Sequence, residues 1–346
     1  MCVALREGLW ICASRNVAFQ LLVVTLGLAC VSGCGVTTHE MAAAGMEEAS
    51  EEQPEEDFVE VTSKTRISDV IADPLLGEWG RLLFPVDRGY MRGTTLGDVQ
   101  LTWYMPCDAQ MTLDVVNDVR RRASAGETVF IDIYSDTEKA ADPWKADTGL
   151  FFFPGESGAP TAIVNAGGGF AYVGAMQDSF PHCLELSRRG YNAFALIYRP
   201  GAQTACEDLA RAIAFVYQHE GELGVTMDGY SLWGGSAGAR MAAWLGSYGT
   251  ESFGEAVYPR PAMCVVNYTG LSEVTGYESP TFSAVGTSDG IASWRTMQRR
   301  IKVIRANGTP AQIEVFRGLP HGFGVGTGTV AEGWLDDAVA FWEENR

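Results

Sequence analysis

The feature that most constrains this chain is Gly234-Gly235-Ser236-Ala237-Gly238, which follows the apolar run Tyr230-Ser231-Leu232-Trp233. An alanine-rich stretch with helical spacing, Met241 to Leu245, comes directly after it. A strand that turns at once into a helix strains the residue at the turn, and glycines on either side let strand and helix approach closely. The helix start also offers free N–H groups and positive potential to a developing anion. The pattern therefore predicts an activated serine, Ser236, at the end of a sheet. The competing reading is a glycine-rich turn carrying an inert serine.

A serine hydroxyl needs a base to become a useful nucleophile. The chain has four histidines, so the base can be sought by elimination. His39 sits in an acidic run, His182 at the start of a helical stretch, and His219 beside Glu220 at the end of another. His321, in Leu319-Pro320-His321-Gly322-Phe323, lies just after the last strand-like run, where a loop can return an imidazole over the sheet. The acid that orients it is Asp289, in Gly286-Thr287-Ser288-Asp289-Gly290 after the strand-like Phe282 to Val285; Glu273 and Glu278 compete from the preceding loop. Asn165-Ala166-Gly167-Gly168-Gly169-Phe170 follows another apolar run, and its glycines can aim backbone N–H groups at a substrate oxygen. No GxGxxG or GxxxxGK[ST] accompanies them, which argues against nucleotide binding.

From residue 128 onward, short apolar runs alternate with helical patterns. Val129 to Tyr134 and Leu150 to Phe153 read as an antiparallel opening pair. Ala162–Val164, Ala193–Tyr198, Tyr230–Trp233, Met263–Asn267, Phe282–Val285 and Ile313–Phe316 follow, with helices such as Leu209–Tyr217 and Ala338–Trp342 between or after them. Eight strands in this pattern predict a mostly parallel sheet covered by helices on both faces. Residues 63–127 read as an N-terminal extension placed to cover the site, with a short strand at Leu101, Trp103 and Met105 and a helix from Met111 to Arg122 that Gly126 stops.

The first 33 residues read as a leader: Arg6 and Arg15 precede an apolar run from Val17 to Val31, too short to span a bilayer. Val31-Ser32-Gly33-Cys34 resembles the lipobox of bacterial lipoproteins, which implies a lipidated Cys34 and an extracytoplasmic, membrane-anchored chain; an uncleaved anchor is the alternative. Residues 34–62 carry nine acidic side chains and read as a self-repelling tether. Net charge is −18, and no basic stripe stands out, so nucleic acid is an unfavourable partner. Cys107, Cys183, Cys206 and Cys264 show no metal-binding spacing; outside the cytoplasm they permit one disulfide, or four separate thiols.

Taken together, the glycine loop, Gly-Gly-Ser-Ala-Gly, Asp289 and His321 resemble the α/β-hydrolase superfamily, and within it the acetyl-esterase and hormone-sensitive-lipase-like branch. The resemblance covers residues 128–346. It departs from that branch at Ala166, which stands where its HGGG loop has histidine. His321-Gly322-Phe323-Gly324 with Gly333-Trp334 resembles a set of bacterial hydrolases. The resemblance implies an α/β-hydrolase fold, a triad of Ser236, Asp289 and His321, and an oxyanion site from the backbones of Gly168, Gly169 and Ala237. It also implies ester hydrolysis with no metal or organic cofactor, but no particular substrate; short-chain acyl esters of small molecules, such as acetyl esters of carbohydrates, are expected instead from the acidic, extracytoplasmic setting. A serine peptidase or lipase of the same fold, or an inactive surface-binding lipoprotein, are the rival readings.

Overall fold

The computed structural model describes residues 58–346; the leader, Cys34 and the tether up to residue 57 lie outside the described residues. The main sheet has eight strands: β3 (Phe130–Asp132), β4 (Gly149–Phe153), β5 (Pro160–Asn165), β6 (Asn192–Ile197), β7 (Thr226–Gly235), β8 (Met263–Asn267), β9 (Thr281–Gly286) and β10 (Ala311–Phe316). Their spatial order is β10-β9-β8-β7-β5-β6-β4-β3. The pairings β3–β4 and β4–β6 are antiparallel and the rest parallel. β4, β6, β8 and β9 are buried along their full length, which is why they read as near-continuous apolar runs.

Alternate residues of the central strands enter two different cores, as the two-residue period requires. Ala162, Val164, Trp233 and Val265 face one layer with α5 (Phe180–Arg188) and α10 (Trp334–Asn345). Ile163, Leu232, Cys264 and Val266 face the other, with α6 (Ala202–Gln218) and α8 (Ser236–Tyr248). α9 (Trp294–Ala306) flanks the edge strand β10, where Ile301 and Ile304 pack on Ala311.

The N-terminal segment joins the first of these cores. Ile67 and Val70 of α1 (Ile67–Ile71), Leu76, Leu83 and Phe84, and Val115, Val116 and Val119 of α2 (Ala109–Ser124) belong to the same buried cluster as the sheet. Asp108 caps α2 by accepting from the Met111 N–H at 2.7 Å, and Gly126 follows its end with φ 75°. The strand expected across Leu101, Trp103 and Met105 is shorter. β2 (Gln100–Leu101) pairs with β1 (Met91–Arg92), and the chain then turns, with Trp103 at φ 75°. The alternation was that of one buried residue followed by a turn. All four cysteines among the described residues are free thiols, three of them buried.

Candidate active site

Strand order reverses at β5, which lies between β6 and β7. The carboxyl ends of strands at such a reversal leave a crevice where open α/β sheets bind ligands. The glycine loop leaves β5 and Ser236 leaves β7, so both candidate elements come to this one place.

Ser236 has φ 53°, a left-handed conformation that is strained for a residue with a side chain. The surrounding glycines are sterically required. A Cβ on Gly234 would lie 2.3 Å from the Gly238 carbonyl, and one on Gly238 would lie 1.9 Å from the Asn165 carbonyl oxygen. Strand, turn and helix therefore close only with hydrogen at both positions.

His321 reaches back from the loop after β10. Its Nε2 stands 3.1 Å from Ser236 Oγ, and its Nδ1 stands 2.8 Å from Asp289 Oδ2. The Asp289 side chain is fully shielded and that of His321 is 6% exposed. The other Asp289 oxygen accepts the N–H groups of Ile291 and Ala292 at 2.8 and 2.7 Å, which fixes the carboxylate's orientation. The competitors are engaged elsewhere: Glu278 caps the Thr275–Gly276 turn and Glu273 accepts from Tyr248. His219 stacks on Phe215 and bonds its carbonyl, and His182 is buried against Trp334. Burial holds His182 well below the ordinary histidine range, at about 4.

The glycine loop lies against the serine. A Cβ on Gly167 would fall 2.7 Å from Ser236 Cβ. Gly168 and Gly169 both have positive φ, and among the described residues neither donates its N–H to another backbone group. The Ala237 N–H, at the start of α8, is likewise unengaged by other backbone. Three amides are thus left free beside one hydroxyl. The sequence-derived set Ser236, His321, Asp289, Gly168, Gly169 and Ala237 is brought together in a single crevice.

Four further residues complete the site and carried no sequence signal. Asp178, in the short helix α4 (Ala175–Asp178), is buried beneath the loop. It accepts the Gly167 N–H at 2.8 Å, the Tyr104 hydroxyl at 3.0 Å and the Tyr268 hydroxyl. Burial raises its carboxyl to about 6, against the opposing effect of these three donors. Tyr268 also packs edge-on against His321, with ring centres 5.2 Å apart. Trp103 lies over Gly169, within 3.0 Å of where a Cβ would be, and is braced by Tyr90 and Tyr172. Among the described residues, the non-glycine residues with positive φ are Trp103, Phe170, Ser236 and Tyr268. All four belong to this site, as expected where strain is retained for function. A cavity of about 170 Å³ is lined by Leu82, Phe84, Tyr172, Ile197 and Tyr198. Among the described residues, no three His, Cys, Asp or Glu side chains gather as a metal ion would need.

The BD-FAE family profile matches residues 152–291, which span the glycine loop, Ser236 and Asp289. No curated protein matches the chain. Among solved structures, the propionate-bound esterase 2 of the planctomycete Thermogutta terrifontis is 21% identical, with a TM-score of 0.54 over 62% of this chain and 93% of that one. The acetyl ester-xyloside bifunctional hydrolase of Caldicellulosiruptor lactoaceticus is 20% identical, with a TM-score of 0.54 over 62% and 95%. The paraoxon-phosphorylated form of the Thermogutta enzyme gives 21%, 0.53, 62% and 93%. At these identities the likeness is one of fold. By its strand order, its serine turn and this likeness, the chain has the α/β-hydrolase fold.

Proposed function

We propose that this chain is a serine carboxylesterase acting on short-chain acyl esters. The observation that carries the reading is the hydrogen-bonded run Ser236–His321–Asp289 facing three unengaged amides. Nδ1–H of a neutral His321 donates to Asp289, which leaves Nε2 as the acceptor for the serine proton. As Ser236 Oγ attacks the acyl carbon, His321 takes that proton. The Gly168, Gly169 and Ala237 N–H groups receive the negative charge on the former carbonyl oxygen, and each such donor is typically worth about 3–4 kcal/mol. His321 then protonates the departing alcohol. A water that gives its proton to His321 next attacks the acyl-serine, releases the acid and restores Ser236.

Short acyl groups are favoured by the structural neighbours, one a propionate-bound esterase and another an acetyl ester-xyloside bifunctional hydrolase. The test is turnover of p-nitrophenyl acetate, butyrate and decanoate, alongside acetylated xylan. Ser236→Ala should reduce turnover of every accepted ester by at least roughly a thousandfold. Residual activity near the wild-type level removes the assignment, and a preference for decanoate replaces the short-chain esterase with a lipase.

We further infer that Cys34 is the lipidated first residue of an extracytoplasmic, membrane-anchored mature chain. Support comes from the basic, apolar and Val31-Ser32-Gly33-Cys34 order of the leader. Metabolic labelling with an alkyne fatty acid should mark the wild type but not Cys34→Ala; equal labelling of both overturns it.

A further inference from the structure

Contrary to the expectation of no basic stripe, residues 294–306 carry one, and the fold exposes it. α9 carries Arg295, Arg299, Arg300, Lys302 and Arg305 and no acidic residue, in a chain with a net charge of −18. Arg300 turns inward and donates to the Glu273 carbonyl at 3.0 Å. The other four are exposed, and among the described residues none of them forms an ion pair. All four line one groove of about 570 Å³ between α9 and the edge strand β10, with half-buried Trp294 and Ile313 forming its floor and no carboxylate in its lining. From Arg295 to Arg305 the helix rises about 15 Å. The groove begins at the loop that carries Asp289, so its upper end lies on the same edge of the sheet as the catalytic crevice.

We propose that this groove binds an acidic polysaccharide, a chain of sugars bearing carboxylates, and guides its esterified units toward Ser236. The direction toward Ser236 rests on the esterase reading; the binding itself does not. Charge complementarity is the main argument. Unpaired cations held in an otherwise acidic molecule form a local attractive field, and guanidinium groups match carboxylates in two-point hydrogen bonds. Shape selects among polyanions. The apolar residues are recessed between the cations, which suits a flexible chain laid along the groove better than the flat face of a bilayer. Arg295 already covers one face of the Trp294 ring, 4.3 Å from its centre, so that face is not open to a stacking nucleic-acid base.

Full-length chain carrying Ser236→Ala, which binds without turnover, should be tested by calorimetry and affinity electrophoresis. The polymers are polygalacturonate, neutral dextran, a single-stranded oligodeoxynucleotide and vesicles containing phosphatidylglycerol. Polygalacturonate should bind best, with an affinity that falls as salt is raised. Arg295→Gln, Arg299→Gln and Lys302→Gln combined should weaken it roughly tenfold or more while circular dichroism stays unchanged. The proposal is overturned if polygalacturonate binds no better than dextran, if the triple variant binds equally well, or if the oligonucleotide or vesicles are preferred. Binding of polygalacturonate by a chain whose wild type proves inactive on esters would keep the groove and remove the esterase.

Discussion

Two layers of the molecule meet at Ser236, and they contribute different things. On the proposed reading the loops that leave the sheet supply the reacting triad: Ser236 after β7, Asp289 after β9 and His321 after β10. The N-terminal layer supplies surfaces. Tyr104 donates to Asp178, which holds the Gly167 N–H and so the glycine loop, and Trp103 lies over Gly169. Losing a reacting group removes a chemical step. Losing a brace moves amides by fractions of an ångström and should cost less, in proportion to how far the loop relaxes.

The sharpest contrast comes from Asp289→Asn. The amide cannot hold the imidazole as the carboxylate does, and kcat should fall roughly 10³- to 10⁴-fold with the fold intact, as read by steady-state kinetics and circular dichroism. A loss under tenfold would mean that Asp289 only packs against the ring.

Asp178→Asn comes next, with kcat down roughly 10- to 100-fold, because one of the three donors that meet its two oxygens loses its acceptor. It also has a pH signature. The folded chain holds the Asp178 proton up to about 6, against an ordinary value of 3.8. Between those values the folded state binds more protons than the unfolded state, so ionising Asp178 costs stability as pH rises through that window. At full burial the cost approaches about 3 kcal/mol. Relative to wild type, Asp178→Asn should therefore gain stability between pH 4 and pH 7 in urea unfolding. A constant difference across that range would show that Asp178 is not the group responsible.

Trp103→Ala should have the smallest effect. It removes a wall beside Gly169 and leaves every hydrogen bond of the site in place. KM for p-nitrophenyl acetate should rise about threefold to tenfold with kcat nearly unchanged, the pattern of lost ground-state binding. A collapse of kcat comparable to that of Asp289→Asn would break the division between reacting and bracing layers.

That same division explains what could be read from the sequence. Ser236 and Asp289 follow strand ends buried on both faces, and His321 follows the half-buried edge strand β10; all three strands announce themselves as short apolar runs, so topology alone sends their loops to one edge. Asp178 has no such marker. Its partners Tyr104 and Tyr268 lie 74 and 90 residues away, and only the finished fold shows that the three meet. Trp103 was misread as a strand residue because alternation cannot reveal a positive φ. The cations of α9 stood in plain view, but averaging charge over the whole acidic chain concealed them. Their one-sided exposure depends on which face of the helix Ile301 and Ile304 bury.

The most direct test of the central claim is covalent labelling of the folded, full-length wild type with a fluorophosphonate, followed by peptide mass spectrometry. One adduct is expected, on Ser236, formed at a rate that falls sharply in His321→Ala. A folded chain that stays unlabelled, or carries its adduct on another residue, would contradict the assignment of Ser236 as the nucleophile.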